Sequence, residues 1–170
     1  FNLEAIQPPL ESLARIGGSD KVSFDVAKEA ATLISPSPAE LDNALPDSPN
    51  ATDRIICITD VRQSQQCSTC AQNPVPLQDA FQQAVTRLYG TQAGGQIRTS
   101  NLTSYSFEDL EKLLDGDPEA FQLEKDLRRA QWQVFSLLDV NNRDTQSRAL
   151  VRFLDERPDL FQQKRLVVFA

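Results

Sequence analysis

The sequence contains no histidine and no methionine, and only three cysteines, one tryptophan and two tyrosines among 170 residues. Without an imidazole, Ser/His/Asp triads, Cys/His dyads, His-ligated zinc and imidazole general bases are excluded within the chain. What remains is carboxylate, thiol, lysine or tyrosine chemistry. Without a methionine, Phe1 is not an encoded start, and the chain reads as a piece of a longer protein whose active site can lie elsewhere. The longest apolar stretches fall far short of the roughly 20 residues that a membrane-spanning helix requires. Basic residues are in deficit, 17 against 24 acidic ones, for a formal net charge of −7. That balance argues against a nucleic-acid partner, which needs a basic stripe to neutralise phosphates, and against binding to anionic membrane surfaces.

What is present is an ordinary globular composition, 40% hydrophobic and 24% charged, long enough for one sizeable core. Residues 1–16 are weakly helical, are interrupted by Pro8-Pro9 and end in Gly17-Gly18. Residues 20–34 place Val22, Val26, Ala27, Ala30, Ala31 and Ile34 on one helical face. A linker rich in Pro, Ser and Asp covers 35–53, with Ser37-Pro38-Ala39-Glu40 as a capping box that predicts a short helical turn.

From there a short β-rich run followed by a helix recurs. Residues 54–60 (RIICITD) predict a strand buried on both faces. Leu77, Ala80, Phe81, Ala84, Val85 and Leu88 predict a helix over 76–89 with Gly90 after it. Residues 96–103 predict a weaker edge strand, and Ser106-Phe107-Glu108-Asp109 caps a helix carrying Leu110, Leu113 and Leu114. Asp117-Pro118 opens a helix bearing Phe121, Leu127 and Ala130. A third strand over 132–139, a helix over 144–156 with Ala149, Leu150, Phe153 and Leu154 inward, and a fourth strand over 164–170 complete the pattern. Repetition at roughly 30-residue intervals predicts right-handed crossovers. The expected fold is α/β, an open and mainly parallel sheet of about four strands between helices, flavodoxin- or Rossmann-like and incomplete at its C-terminus. The expected division is an N-terminal helical or linker segment over 1–19 and an α/β sandwich over 20–170.

Ligands of open parallel sheets bind beyond the carboxyl ends of the strands. Asp60 closes the first predicted strand and Asp139 the third, with Arg62, Asn141 and Asn142 just behind them. Asp60, Arg62, Asp139 and Asn141 are therefore the candidate binding residues, for a sugar hydroxyl, a phosphate or a metal. The competing explanation is that a strand-end Asp caps the turn that follows. Cys67-Ser68-Thr69-Cys70 has redox spacing but lies in a Gln-rich loop away from any helix N-terminus, which favours a local disulfide or two free thiols over catalysis. Three cysteines and no histidine cannot complete a structural zinc site. The run 90–95 (GTQAGG) follows a helix and precedes a strand, the reverse of a phosphate loop. Asn50-Ala51-Thr52 and Asn101-Leu102-Thr103 match the glycosylation triplet, which arises often by chance.

Taken in order, residues 24–34 (FDVAKEAATLI), the strand opening Asp53-Arg54-Ile55-Ile56, residues 126–135 (DLRRAQWQVF) and residues 164–170 (KRLVVFA) resemble the C-terminal α/β domain of glycoside hydrolase family 3, nearest to its bacterial β-N-acetylhexosaminidase-like branch. The resemblance covers most of the chain from about residue 20 and contains no catalytic motif. It implies a parent that hydrolyses terminal β-linked sugars such as N-acetylglucosamine, with retention through a covalent glycosyl-enzyme intermediate. It also implies a partner, the N-terminal (β/α)8 barrel of the same protein, which carries the nucleophilic Asp and a His-containing acid/base loop. No catalytic residue and no cofactor therefore carries over to this chain, and carbohydrate is reached through the parent. The loops over 60–66 and 139–143 are the ones expected to face a substrate cleft. A glycan-degrading parent fits an extracellular or cell-envelope location. The alternatives are a small-molecule or carbohydrate-binding module using the strand-end crevice, and a thiol oxidoreductase using Cys67 and Cys70.

Overall fold

The computed structural model describes residues 18–37, 39–40, 47–141 and 143–170. The expectations for 1–17, for Pro38, for 41–46 and for Asn142 lie outside these residues. The chain divides into two compact units, Phe1–Pro46 and Asp47–Ala170. Residues 20–46, counted above with the α/β domain, thus fall in the first unit.

In the first unit, helix α1 (Asp20–Ala30) ends four residues short of the predicted stop because Ala31 turns extended, and it buries none of its residues. The Ser37–Glu40 contact forms as a turn: the Ser37 N–H and hydroxyl donate to the Glu40 carboxylate at 3.1 and 2.7 Å.

The second unit runs β1 (Ile55–Thr59), β2 (Arg62–Ser64), β3 (Asn73–Val75), α2 (Ala80–Tyr89), β4 (Leu102–Ser106), α3 (Phe107–Leu114), α4 (Phe121–Arg129), β5 (Trp132–Ser136), α5 (Thr145–Glu156), α6 (Pro158–Phe161) and β6 (Arg165–Phe169). Strands β4-β1-β5-β6, in that order, form one all-parallel sheet. The fold is α/β, as the alternation of strands and helices predicts. Strands β2 and β3 form a separate antiparallel hairpin within the predicted loop after β1.

Alternation along the strands sends Ile56, Ile58 and Phe135 to one face of the sheet and Ile55, Cys57, Trp132 and Val134 to the other. The chain steps from β1 to β4, then back across β1 to β5. Right-handed crossovers therefore put α2 on one face and α3 to α6 on the other. Strand β1 sits centrally with all five residues buried, which explains its run of four apolar residues.

Three boundaries differ from the periodicity. Helix α2 starts four residues after Pro76, because Leu77 to Ala80 close a turn first. Strand β4 starts at Leu102, since the residues before it form a bridge from Ile97 to Gly90 and a 3-10 turn, Thr99–Asn101. In that connection a side chain on Gly95 would collide with the Tyr89 carbonyl, so the close approach requires glycine. Third, Phe121 is 69% exposed rather than inward. A 3-10 turn, Pro118–Ala120, precedes α4 and aligns Ala120, Leu123 and Leu127 toward the core, leaving Phe121 beside that stripe. The capping box of α3 forms as its spacing predicts, with the Asp109 N–H donating to Ser106 Oγ and the Ser106 N–H to the Asp109 carboxylate.

Candidate functional site at the strand ends

The order β4-β1-β5-β6 reverses direction between β1 and β5, so the crest at their carboxyl ends is the topological switch point where open α/β sheets place ligands. Asp60 follows β1 there and is fully buried. Its N–H continues the ladder to the Ser136 carbonyl at 2.9 Å. Its carboxylate accepts from Arg62 Nε at 3.0 and 3.1 Å, from Arg62 Nη2 at 2.7 Å and from the Leu138 N–H at 3.1 Å. Both oxygens are thus engaged, and the β1 end is tied to the β5 end.

Arg62, the first residue of the hairpin, also donates from Nη2 to Asp144 at 2.8 Å. Hydrogen bonds from Arg62 to Asp60 and then to Asp144 hold its guanidinium even more firmly protonated than usual. Its side chain stays 37% exposed. Asp144 precedes α5 in the N-cap position yet makes no cap bond, because its carboxylate turns to Arg62 instead. An ordinary capping bond of about 1 kcal/mol is therefore replaced by a link between the hairpin and α5.

The four sequence candidates separate here. Asp60 follows the first strand as expected, and Arg62, expected beside it as a ligand-binding residue, is paired with it instead. Asp139 does not join them, which corrects its reading as the residue closing the third strand. Strand β5 ends at Ser136, and Asp139 is exposed on the loop, its backbone carbonyl accepting from Ser147 Oγ at 3.2 Å. Asn141 serves the same loop: its N–H donates to Ser147 Oγ, and its side-chain oxygen accepts from the Arg143 N–H. The acid that completes the cluster is Asp144, 82 residues from Arg62 and indistinguishable by sequence from a helix cap.

Beside this loop opens a cleft of about 730 Å³ lined by Leu137, Val140, Asn141, Ser147, Arg148 and Val168 among others. Glu111 of α3 also reaches it, and burial, followed by the nearby Asp115 carboxylate, pushes its carboxyl above the usual range. Nothing in the sequence distinguishes Glu111 from other helix-surface acids, since its environment comes from α5 across the groove. Thr59, at the end of β1, keeps its hydroxyl buried without a partner among the described residues.

Beyond Arg62 the hairpin is exposed from Gln63 to Val75. Cys67 and Cys70 at its tip are joined by a disulfide, one of the two states expected for them. Cys57 lies buried in β1, where burial pushes its thiol up to about 12. Among the described residues no cluster of three or more His, Cys, Asp or Glu side chains could hold a metal ion, and no helix is long and apolar enough to cross a membrane. No protein-family model, curated protein or solved structure matches the chain.

Proposed function

We propose that this chain is an accessory α/β domain of a glycoside hydrolase, without turnover of its own. In this reading the parent hydrolyses terminal β-linked sugars, N-acetylglucosamine among them, with retention, on a preceding (β/α)8 barrel. The family reading rests on the sequence resemblance. The structural observation that supports an accessory role is the state of Asp60. A glycosidic nucleophile or acid/base needs a carboxylate oxygen free to reach the sugar. Asp60 instead has both oxygens occupied by Arg62 and the Leu138 N–H. The strand-end cluster therefore fastens loops and presents them, which is the work of a domain that shapes a neighbour's cleft. The test is hydrolysis of an aryl N-acetyl-β-glucosaminide by the 170-residue chain. No turnover above the uncatalysed rate is expected, and robust hydrolysis overturns the reading.

The cleft beside Asn141 and Ser147 favours a second reading, a module that binds a small molecule or sugar at the strand ends. Calorimetry with a panel of sugars and nucleotides separates the two. Binding that is lost in Arg148→Ala or Asn141→Ala supports the module, and silence across the panel removes it.

A further inference from the structure

We propose that the Cys67–Cys70 disulfide is a reversible redox latch on the β2–β3 hairpin, opened and closed by thiol–disulfide exchange while the base of the hairpin stays anchored. The bond holds little of the fold. It joins residues three apart, so it closes a minimal loop and restricts little of the unfolded chain. Neither sulfur belongs to either hydrophobic cluster, and both residues are exposed. The bond lies outside the packing of the sheet, and a thiolate from solution can reach either sulfur.

What the bond does hold is the tip. The hairpin strands are three residues each, and all residues from Gln63 to Val75 are exposed, so little apolar packing orders them. The Cys70 N–H donates to the Cys67 carbonyl at 3.0 Å, and the Gln65 amide donates to the carbonyls of Ser68 and Cys70. These bonds span the same turn that the disulfide closes. At the base, Arg62 remains fastened to Asp60 and Asp144, independently of the cysteines. The hairpin thus has a fixed root and a tip held by one accessible covalent bond and a few exposed hydrogen bonds. The remaining thiol, Cys57, is sealed inside β1 and cannot divert the exchange.

The chemistry is balanced by an external dithiol. Its thiolate attacks one sulfur, the protein S–S bond breaks and a mixed disulfide forms. The second thiol of the reagent then releases the protein, leaving two cysteine thiols and the reagent as its cyclic disulfide. The pair Cys67 and Cys70 gains two electrons and two protons, and reoxidation reverses the step.

The experiment equilibrates the 170-residue chain in glutathione buffers of graded reduced-to-oxidised ratio, traps thiols by alkylation, and follows amide exchange by mass spectrometry before and after dithiothreitol. Two trapped thiols are expected to appear midway through the series and to disappear on reoxidation. Exchange over 65–72 should quicken about tenfold or more, while β1, β5 and α5 keep their protection. The double variant Cys67→Ser, Cys70→Ser should reproduce the reduced pattern without reductant. A pair that stays oxidised at every ratio, or a tip whose exchange is unchanged on reduction, overturns the latch. So does loss of protection throughout the sheet, which would make the bond a staple of the fold.

Discussion

The two faces of the sheet are built on the same four strands and differ in what covers them. On one face α3 to α6 bury fifteen described residues, with Phe107, Phe135, Phe153 and Phe161 forming a chain of tilted aromatic contacts at 5.5 to 6.2 Å. On the other, among the described residues, α2 and Ile97 cover a cluster of five buried residues, and Phe81 and Val85 of α2 are only partly buried. A largely apolar groove of about 440 Å³ remains there, lined by Phe81, Tyr89, Trp132, Val134, Val167 and Phe169 among others. The difference follows from topology. Only the step from β1 to β4 moves in the direction that places its helix on the thin face; both later steps move the other way. A strand sequence buried on both sides therefore does not ensure equal packing on both sides.

Substitutions on the two faces should differ in cost. The largest effect is expected at Phe153, fully buried at the centre of the thick face. Phe153→Ala should cost about 3–5 kcal/mol in urea unfolding, through lost contacts and the cavity left behind. Phe81→Ala, on the thin face, should cost only about 1 kcal/mol because its ring is already partly solvated. Equal losses would show that the two faces are energetically alike. Next comes the crest that joins them. Asp60→Ala leaves the Leu138 N–H without its acceptor and Arg62 with Asp144 alone, and should cost about 2 kcal/mol. Asp139→Ala should change the same unfolding midpoint by less than about 0.5 kcal/mol. A reversed order would restore Asp139 as the structural strand-end acid.

Smaller effects belong to the helices of the thick face. Ser106→Ala removes one half of the capping box of α3 and should cost about 1 kcal/mol. The smallest involves Glu124, whose carboxyl is held below its ordinary 4.5 by hydrogen bonds from Arg157 and then Arg128. A lowered folded-state value means that its stabilisation is present above the unfolded value and is lost as pH falls through the folded one. Glu124→Gln should thus lower stability by less than about 1 kcal/mol at pH 7, since the pair is partly solvated. The gap between variant and parent should close below about pH 4. A gap that widens in acid would reverse the sign and remove the ion-pair explanation.

Much of the fold was legible because it depends on local pattern. The buried run Ile55 to Ile58, the Ser106–Asp109 box and the stripe Ala149, Leu150, Phe153 each declare an element through periodicity or side-chain chemistry. Errors arose where a local pattern was overridden. Phe121 has helical spacing with Leu127 but is turned out by the 3-10 turn before it. The apolar stripe of α2 is the clearest in the sequence, yet Leu77 precedes the helix and Leu88 stays exposed. The place of Asp60 at the end of the first strand was equally legible. Asp60 and Arg62 are two residues apart, and the strand end predicts their position. Asp144 and Glu111 were not, since their environments are made by α5 meeting the hairpin on one side and α3 on the other.

Composition and local pattern carried the lack of any imidazole in the chain, its acidic charge balance, and strands separated by helices in a parallel arrangement. Those conclusions follow from composition and from periods of two and 3.6 residues, which need no knowledge of distant partners. Folding in three dimensions set that β1 lies between β4 and β5, that one face is thick and the other thin, and that Asp60 accepts from the Leu138 N–H while Asp144 leaves its cap for Arg62. Each of these depends on contacts between residues tens of positions apart, whose geometry is set by the crossovers and is invisible in any local window.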